Sequence, residues 1–209
     1  MKARTLFFAA AVLLLAASCK TRLFNGKDLT GWGCLLQDET YAVKEVFSVQ
    51  DGCISVSGQP FGFLYTEKVF RNYELDVEWR WTDGPANSGI FLILQEIKNP
   101  FPKAVECQLK AGNVGDFVLL GGSELEEVEL PSGLLRPRFP VKPKTAETNE
   151  MPAGEWNKVH AVVNEGKIQV YLNGVLMNEG TSPVKEGRIA LQSEGGKLAF
   201  RNITIKEKK

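Results

Sequence analysis

The chain has 209 residues, in which 25 lysines and arginines balance 25 aspartates and glutamates beside a single histidine. That balance argues against nucleic acid or an anionic membrane face as the partner of a basic surface. The length suffices for a sizeable buried core.

The first eighteen residues, MKARTLFFAAAVLLLAAS, read as an export signal. Lys2 and Arg4 make a positive start, and the apolar run from Leu6 to Ala17 is too short to span a bilayer comfortably. Ala16-Ala17-Ser18-Cys19 resembles a bacterial lipobox, with Ala16 where Leu is commoner. On that reading Cys19 becomes the lipid-bearing N-terminus of a membrane-anchored protein on the periplasmic side of the cell envelope. Several acyl chains anchor stably where one does not. The plainer alternative is a secretory signal with an incidental cysteine, and it too exports the chain. No later stretch is long and apolar enough for a transmembrane helix.

Residues 19–22 then form a short linker, and 23–209 read as a single domain, since about 190 residues suit one all-β unit. Cys34, Cys53 and Cys107 remain in it. Three thiols cannot all pair within one chain, and their spacing matches no zinc pattern. One disulfide of unspecified pairing and a set of buried apolar thiols are both compatible with the pattern. No cofactor is expected; calcium in a sandwich loop stays open.

Period-two alternation dominates this domain. YELDVEWRW puts Tyr73, Leu75, Val77, Trp79 and Trp81 on one face and Glu74, Asp76, Glu78 and Arg80 on the other. SGIFLILQE is almost continuously apolar and predicts a central strand. AVECQL alternates Val105, Cys107 and Leu109 with Glu106 and Gln108. WNKVHAVVNEGKIQVYLNG predicts a hairpin turning at Asn164-Glu165-Gly166, and GRIALQSEGGKLAFRNITIK a second one turning at Glu194-Gly195-Gly196. No capped helical period appears after the signal. Between Gly112 and Pro152 the rhythm breaks, and PSGLLRPRFPVKPK cannot be a central strand. The expectation is a long loop over one face, with a short strand near Phe117 to Leu120. Short strands with glycine turns indicate an all-β sandwich of two antiparallel sheets.

Five stretches also carry a resemblance. LFNGKDLTGW, WRWTDGPANSGIFL, AVECQL, AGEWNKVHAVVNEGKIQVYLNG and GRIALQSEGGKLAFRNITIK resemble, in order, the landmarks of the 3-keto-disaccharide hydrolase domain family. The resemblance covers nearly all of the exported chain. It implies a concanavalin A-like jelly roll, similar to some bacterial β-glucanases, in an exported protein often from Bacteroidetes that acts on oxidised sugars. Two departures matter. Family members often carry an Asp after the Glu-x-Gln strand, where Leu109-Lys110-Ala111-Gly112 stand here. They often carry a His soon after the closing Leu-Gln, where Ser193-Glu194 stand.

A ketone at C3 of a sugar acidifies the proton on C2, and the glycosidic oxygen leaves from C1. Cleavage can then run by elimination and water addition, which needs a base near C2 and donors for the developing enolate. Glu106 is the candidate base, because alternation sends it to the solvent-facing side of its strand; an exposed strand glutamate without function fits the same pattern. Gln108 shares that face and is a candidate sugar ligand. Asn87 and Ser88, in a glycine-bounded turn, suit a ligand or the local backbone equally. Gln192 faces away from Leu191 and joins either the sugar or a cross-strand polar pair. Arg201 has the charge for an enolate, although pairing with an acidic neighbour explains it more simply. Glu74 and Glu78 share a face, better read as solvated or paired with Arg80 than as a glycosidase pair. Trp79 and Trp81 read as core, Trp156 as a plug at one end, and His160 as a structural strand residue.

Two functions remain: an enzyme cleaving 3-keto-glycosides, and a carbohydrate-binding lipoprotein without catalysis on the same scaffold. Both take a carbohydrate partner. The anchor is testable by itself: the wild-type protein should partition into detergent with a lipidated N-terminus by mass spectrometry. Cys19→Ala should abolish that partitioning, whereas a water-soluble wild type with a free N-terminus would exclude acylation.

Overall fold

Period-two alternation becomes two packed antiparallel sheets in the computed structural model, which describes residues 20–98, 101–129 and 137–208. In chain order the strands are β1 (Thr21–Arg22), β2 (Trp32–Leu36), β3 (Phe47–Gln50), β4 (Cys53–Val56), β5 (Gly62–Thr66), β6 (Tyr73–Trp81), β7 (Gly89–Glu96) and β8 (Lys103–Gln108). After these come β9 (Phe117–Leu120), β10 (Val141–Lys142), β11 (Asn157–Asn164), β12 (Lys167–Leu172), β13 (Val175–Thr181), β14 (Arg188–Ser193) and β15 (Leu198–Glu207). One sheet runs β13-β12-β11-β6-β15-β4-β3, with β1 beside β15; the other runs β10-β9-β8-β7-β14-β5-β2. This is a jelly-roll β-sandwich. The signal region and Cys19 lie outside the described residues.

The β6 alternation holds residue by residue. Tyr73, Leu75, Val77, Trp79 and Trp81 are buried between the sheets, facing Ile90, Leu92, Val105, Cys107, Phe117 and Leu191 from the other side. The Tyr73 hydroxyl donates to the Leu92 carbonyl at 2.6 Å and ties the two sheets through the core. Strand β7 lies between β8 and β14. It is apolar on both faces because its outer face, too, carries a cluster: Phe63, Phe91, Leu94, Ala104, Val118, Leu120 and Ala190.

The opening stretch is a set of side-chain-closed turns. Asn25 Oδ1 accepts the amides of Lys27 (2.7 Å) and Asp28 (3.0 Å), and Asp28 Oδ1 accepts that of Thr30 (2.9 Å). Gly31 has φ of 84°, where a side chain would be strained. The turns deliver Trp32, whose indole N–H donates to the Leu23 carbonyl at 2.8 Å.

The first predicted hairpin is β11–β12, turning at Glu165 and Gly166 with φ of 50° and 86°. Both positive values match the two-residue turn that suits strand twist. The second is not a hairpin. β14 pairs with β5 and β7, while β15 pairs with β4 and β6. The Glu194-Gly195-Gly196 segment is an arch between the sheets, held by bridges from Asn87 to Glu194 and Gly195 and by the Gly195 amide donating to Gly58 at 2.7 Å. Alternation and a glycine turn look alike in both arrangements.

A one-turn helix, α1 (Val43–Val46), was not signalled by periodicity; Glu45 makes it by accepting the Ala42 amide at 2.7 Å. The strand expected at Phe117 to Leu120 is β9, and the chain returns beside it as the edge strand β10. The rest of the long segment is bolted down where it is described. Glu150 accepts from the Trp81 indole (3.1 Å) and the Gly112 amide (3.0 Å), and buried Asn178 donates to the carbonyls of Gly115 (3.1 Å) and Lys142 (3.0 Å). Residues 130–136 of that segment lie outside the description. Cys34, Cys53 and Cys107 are free thiols.

Asp76 organises the outer face of the β6 sheet. Lys20 pairs with it, Lys158 Nζ lies at 3.0 Å and His160 Nδ1 at 2.9 Å. Burial pushes its carboxyl up, but the hydrogen bonds from Lys20, Lys158 and His160 outweigh that and hold it at about 2. A depressed carboxyl adds stability above its unfolded range and loses it as pH falls through the folded value. Asp76→Asn should therefore cost roughly 1–2 kcal/mol at neutral pH, allowing for screening of the exposed lysines. In urea unfolding the gap to wild type should close as pH falls from 4 towards 2.

Candidate active site

The outer face of the β8 sheet has an apolar floor interrupted by one carboxyl. Glu106 stands in register between Phe91 of β7 and Val118 of β9. Alternation does place it opposite Val105 and Cys107, away from the inter-sheet core. The expected solvent exposure is not found, and Glu106 is only 2% exposed. The chain around it forms a cover. β10 pairs onto β9, the Leu119 amide donates to the Pro140 carbonyl at 2.8 Å, and Phe139 packs on Phe101 with ring centroids 4.7 Å apart. Arg138 lies over both rings, 4.9 and 5.0 Å from their centroids.

Beneath this cover is a cavity of about 170 Å³. Drug-sized ligand sites run to roughly 300–1,000 Å³, so this one suits a single sugar ring. Glu106, Gln108, Asn87, Gln192 and Glu194 form its polar side, and Phe101, Phe139, Val118, Leu120 and Val141 its apolar side. Such a two-sided lining matches a pyranose, which has an apolar face and a hydroxyl rim.

The glutamate fits because its neighbour has no side chain. A Cβ on Gly89 would lie 2.1 Å from Glu106 Oε1 and 2.6 Å from its carboxyl carbon. Gln108 is ringed by acceptors, so its amide nitrogen faces them: Glu106 Oε1 at 2.9 Å, Asn87 Oδ1 at 3.2 Å and the Ser88 carbonyl at 3.2 Å. Gln108 thus orients the carboxyl. Gln192 is 1% exposed, and its Oε1 has no protein partner. A buried acceptor without a protein partner is the kind of group that a donor would satisfy.

Four of the sequence candidates converge here: Glu106, Gln108, Asn87 and Gln192. Two do not. The Ser88 hydroxyl is fully buried and donates to the Gln192 carbonyl at 2.9 Å, so it braces the site from behind. Arg201 lies on the other sheet, with its guanidinium 2.7 Å from Glu78 and 3.8 Å from the Trp156 ring centroid. That contact also corrects two smaller expectations: Glu78 pairs with Arg201 rather than Arg80, and Trp156 is held between Arg80 and Arg201 rather than plugging an end. Glu74 is paired with Lys208 at 2.9 Å. Among the described residues, no cluster of three or more His, Cys, Asp or Glu side chains could hold a metal ion.

Glu194 is the lining residue that sequence reasoning left without a role. Its signal was its place in the chain, two residues after Gln192 at the second glycine turn. Burial raises its carboxyl, opposed by a hydrogen bond from Gln192 and by the charge of Lys110. Burial also raises Glu106, well above the ordinary carboxylate range, and the charge of Glu194 raises it further. Two interacting carboxyls in one cleft are a common basis for proton transfer.

A jelly-roll sandwich with a ring-sized, carboxyl-bearing cavity on one outer face defines the class. The chain belongs to the 3-keto-alpha-glucoside-1,2-lyase-like domain family, whose pattern matches residues 20–206. It is 25% identical to the 3-keto-disaccharide hydrolase of Bacteroides thetaiotaomicron, over 88% of this chain and 77% of that one. Among solved structures, a Parabacteroides distasonis protein provisionally named a glycosyl hydrolase superposes with a TM-score of 0.66 at 23% identity, covering 91% of this chain and 94% of its own. A Bacillus licheniformis β-glucanase gives 0.60 at 12% identity, over 92% and 98%. A carbohydrate-binding module of Bacillus subtilis gives 0.56 at 12%, over 85% and 96%. These structural likenesses concern the fold.

The fit of Glu106 against Gly89 makes a prediction. Gly89→Ala should destabilise the fold by roughly 1–3 kcal/mol through overpacking. In a double-mutant cycle Glu106→Ala should recover most of that loss. Additive effects in thermal unfolding would mean the two positions do not compete for space.

Proposed function

We propose that the protein cleaves glycosides whose sugar carries a ketone at C3, by elimination across C1–C2 followed by hydration. The observation that carries this reading is the buried Glu106 carboxyl, held by Gln108 in a cavity sized for one sugar ring. The name of the Bacteroides relative points to the same substrate class.

In the reaction, ionised Glu106 removes the proton from C2. The C–H electrons form a C1=C2 double bond conjugated with the C3 ketone, and the C1–O bond breaks towards the leaving group. Water then adds across the double bond, its oxygen to C1 and a proton to C2, so the net result is hydrolysis. Gln108 holds Glu106 in line through its amide. Asn87 and the open Gln192 oxygen take ring hydroxyls, and the Phe139 and Phe101 cover keeps bulk water from the enolate. A base with a raised pKa is the stronger base once ionised. The rate should therefore climb as pH rises through the Glu106 value. If Cys19 is acylated, this chemistry takes place at the cell envelope.

Two measurements test the reading. The wild type should cleave a 3-keto-disaccharide and leave its unoxidised parent intact. In deuterated water the released keto-sugar should carry deuterium at C2 beyond background exchange. Glu106→Gln should lower turnover roughly 10²–10⁴-fold with little change in binding. Full activity in that variant would remove Glu106 from the role, and an unlabelled C2 would remove elimination. Binding of keto-sugars without turnover would instead establish a carbohydrate-binding protein.

A further inference from the structure

We infer that Glu194 is the second catalytic carboxyl of this site, donating a proton to the departing glycosidic oxygen while Glu106 works on C2. The inference rests on the elimination reading and adds a role that reading leaves unfilled: an alkoxide leaves C1 slowly unless it is protonated.

Three independent features support it. Glu106 on β8 and Glu194 on the arch after β14 line the same ring-sized cavity, so a ring bound there lies within reach of both carboxyls. Gln192, which lines the cavity and is buried, spends its amide on Glu194, while its oxygen is buried without a protein partner. The backbone that carries Glu194 is fixed on both sides by the Asn87 bridges and by Gly195 bonding to Gly58. A glutamate placed only for solubility needs none of this restraint.

Among the described residues, Arg138 sits on the cavity's cover over the Phe101 and Phe139 rings. Lys110 acts on Glu194, and the Cys107 thiol lies behind Glu106 on the inner face of β8. The two carboxyls therefore titrate as a coupled pair, and the active form carries one proton. The form that reacts has Glu106 ionised and Glu194 protonated; it is the less populated of the two one-proton forms, because burial and the charge of Glu194 favour the proton on Glu106. Elimination moves the C2 proton to Glu106 and the Glu194 proton to the leaving oxygen. During hydration the Glu194 carboxylate takes a proton from the water that attacks C1, and Glu106, its proton exchanged with solvent, delivers a proton to C2. Both groups end as they began.

Leaving-group chemistry tests this directly. Methyl and para-nitrophenyl 3-keto-α-glucosides differ in their need for a proton donor, since nitrophenolate leaves unaided. Glu194→Gln should lose roughly 10²–10⁴-fold on the methyl glycoside and less than about tenfold on the nitrophenyl one. It should continue to exchange the C2 proton of the methyl glycoside in deuterated water, which also shows that the variant is folded. Its acid limb should move to lower pH, because the charge that raises Glu106 is gone. Equal losses on both glycosides, or loss of C2 exchange along with cleavage, would overturn the assignment. If the variant does not fold, the wild type decides: a rate nearly independent of leaving-group acidity supports a proton donor, and a steep dependence refutes one. Absence of C2 exchange in the wild type would instead refute the elimination reading itself.

Discussion

Everything particular to this molecule comes from keeping one carboxyl dry on the outside of a sheet. Glu106 occupies a position that strand alternation assigns to solvent, yet its side chain is buried. Burying a carboxylate without a strong partner is costly, and a protein avoids that cost by protonation or by well-placed donors. Here the donor is the Gln108 amide, the space is the missing side chain of Gly89, and the opposing influence is Glu194. The outcome is a carboxyl whose proton affinity lies far above that of an exposed glutamate.

The rest of the fold reads as support for that position. The second apolar cluster gives the sheet an outer floor, and Phe139 with Phe101 covers it. Glu150 and Asn178 pin the long segment that carries Phe139 to the sandwich. By contrast the outer face of the other sheet is laced with ion pairs, among them Asp76 with Lys158 and Glu78 with Arg201. Charges there are paired, whereas on the β8 face Glu106 is buried.

Much of this is legible in the amino-acid sequence alone. Alternation from Tyr73 to Trp81 announces its buried face correctly, and the placement of Glu106 and Gln108 on the outer side of β8 comes from the same rule. The short strand expected near Phe117 to Leu120, inside the long irregular segment, is β9. What escapes is set by contacts distant in sequence. The burial of Glu106 depends on Phe139 and Phe101, which no local pattern links to it. Glu194-Gly195-Gly196 reads as a hairpin because the turn residues do not reveal that the flanking strands lie in different sheets. The same error hides Glu194, because the arch is what carries it into the cavity beside Glu106. Arg201 and Ser88 are candidates by chemistry alone, and their partners, Glu78 and the Gln192 carbonyl, already satisfy them.

The central claim is spatial: a sugar oxidised at C3 sits in the roofed cavity with its C2 towards Glu106. A crystal structure of Glu106→Gln with a 3-keto-disaccharide tests it most directly. The account predicts the keto ring beneath Phe139 and Phe101, with C2 within about 3.5 Å of the residue 106 amide and the glycosidic oxygen turned towards Glu194. A sugar bound on the other sheet, or seated in the cavity with C2 facing away from residue 106, would contradict it.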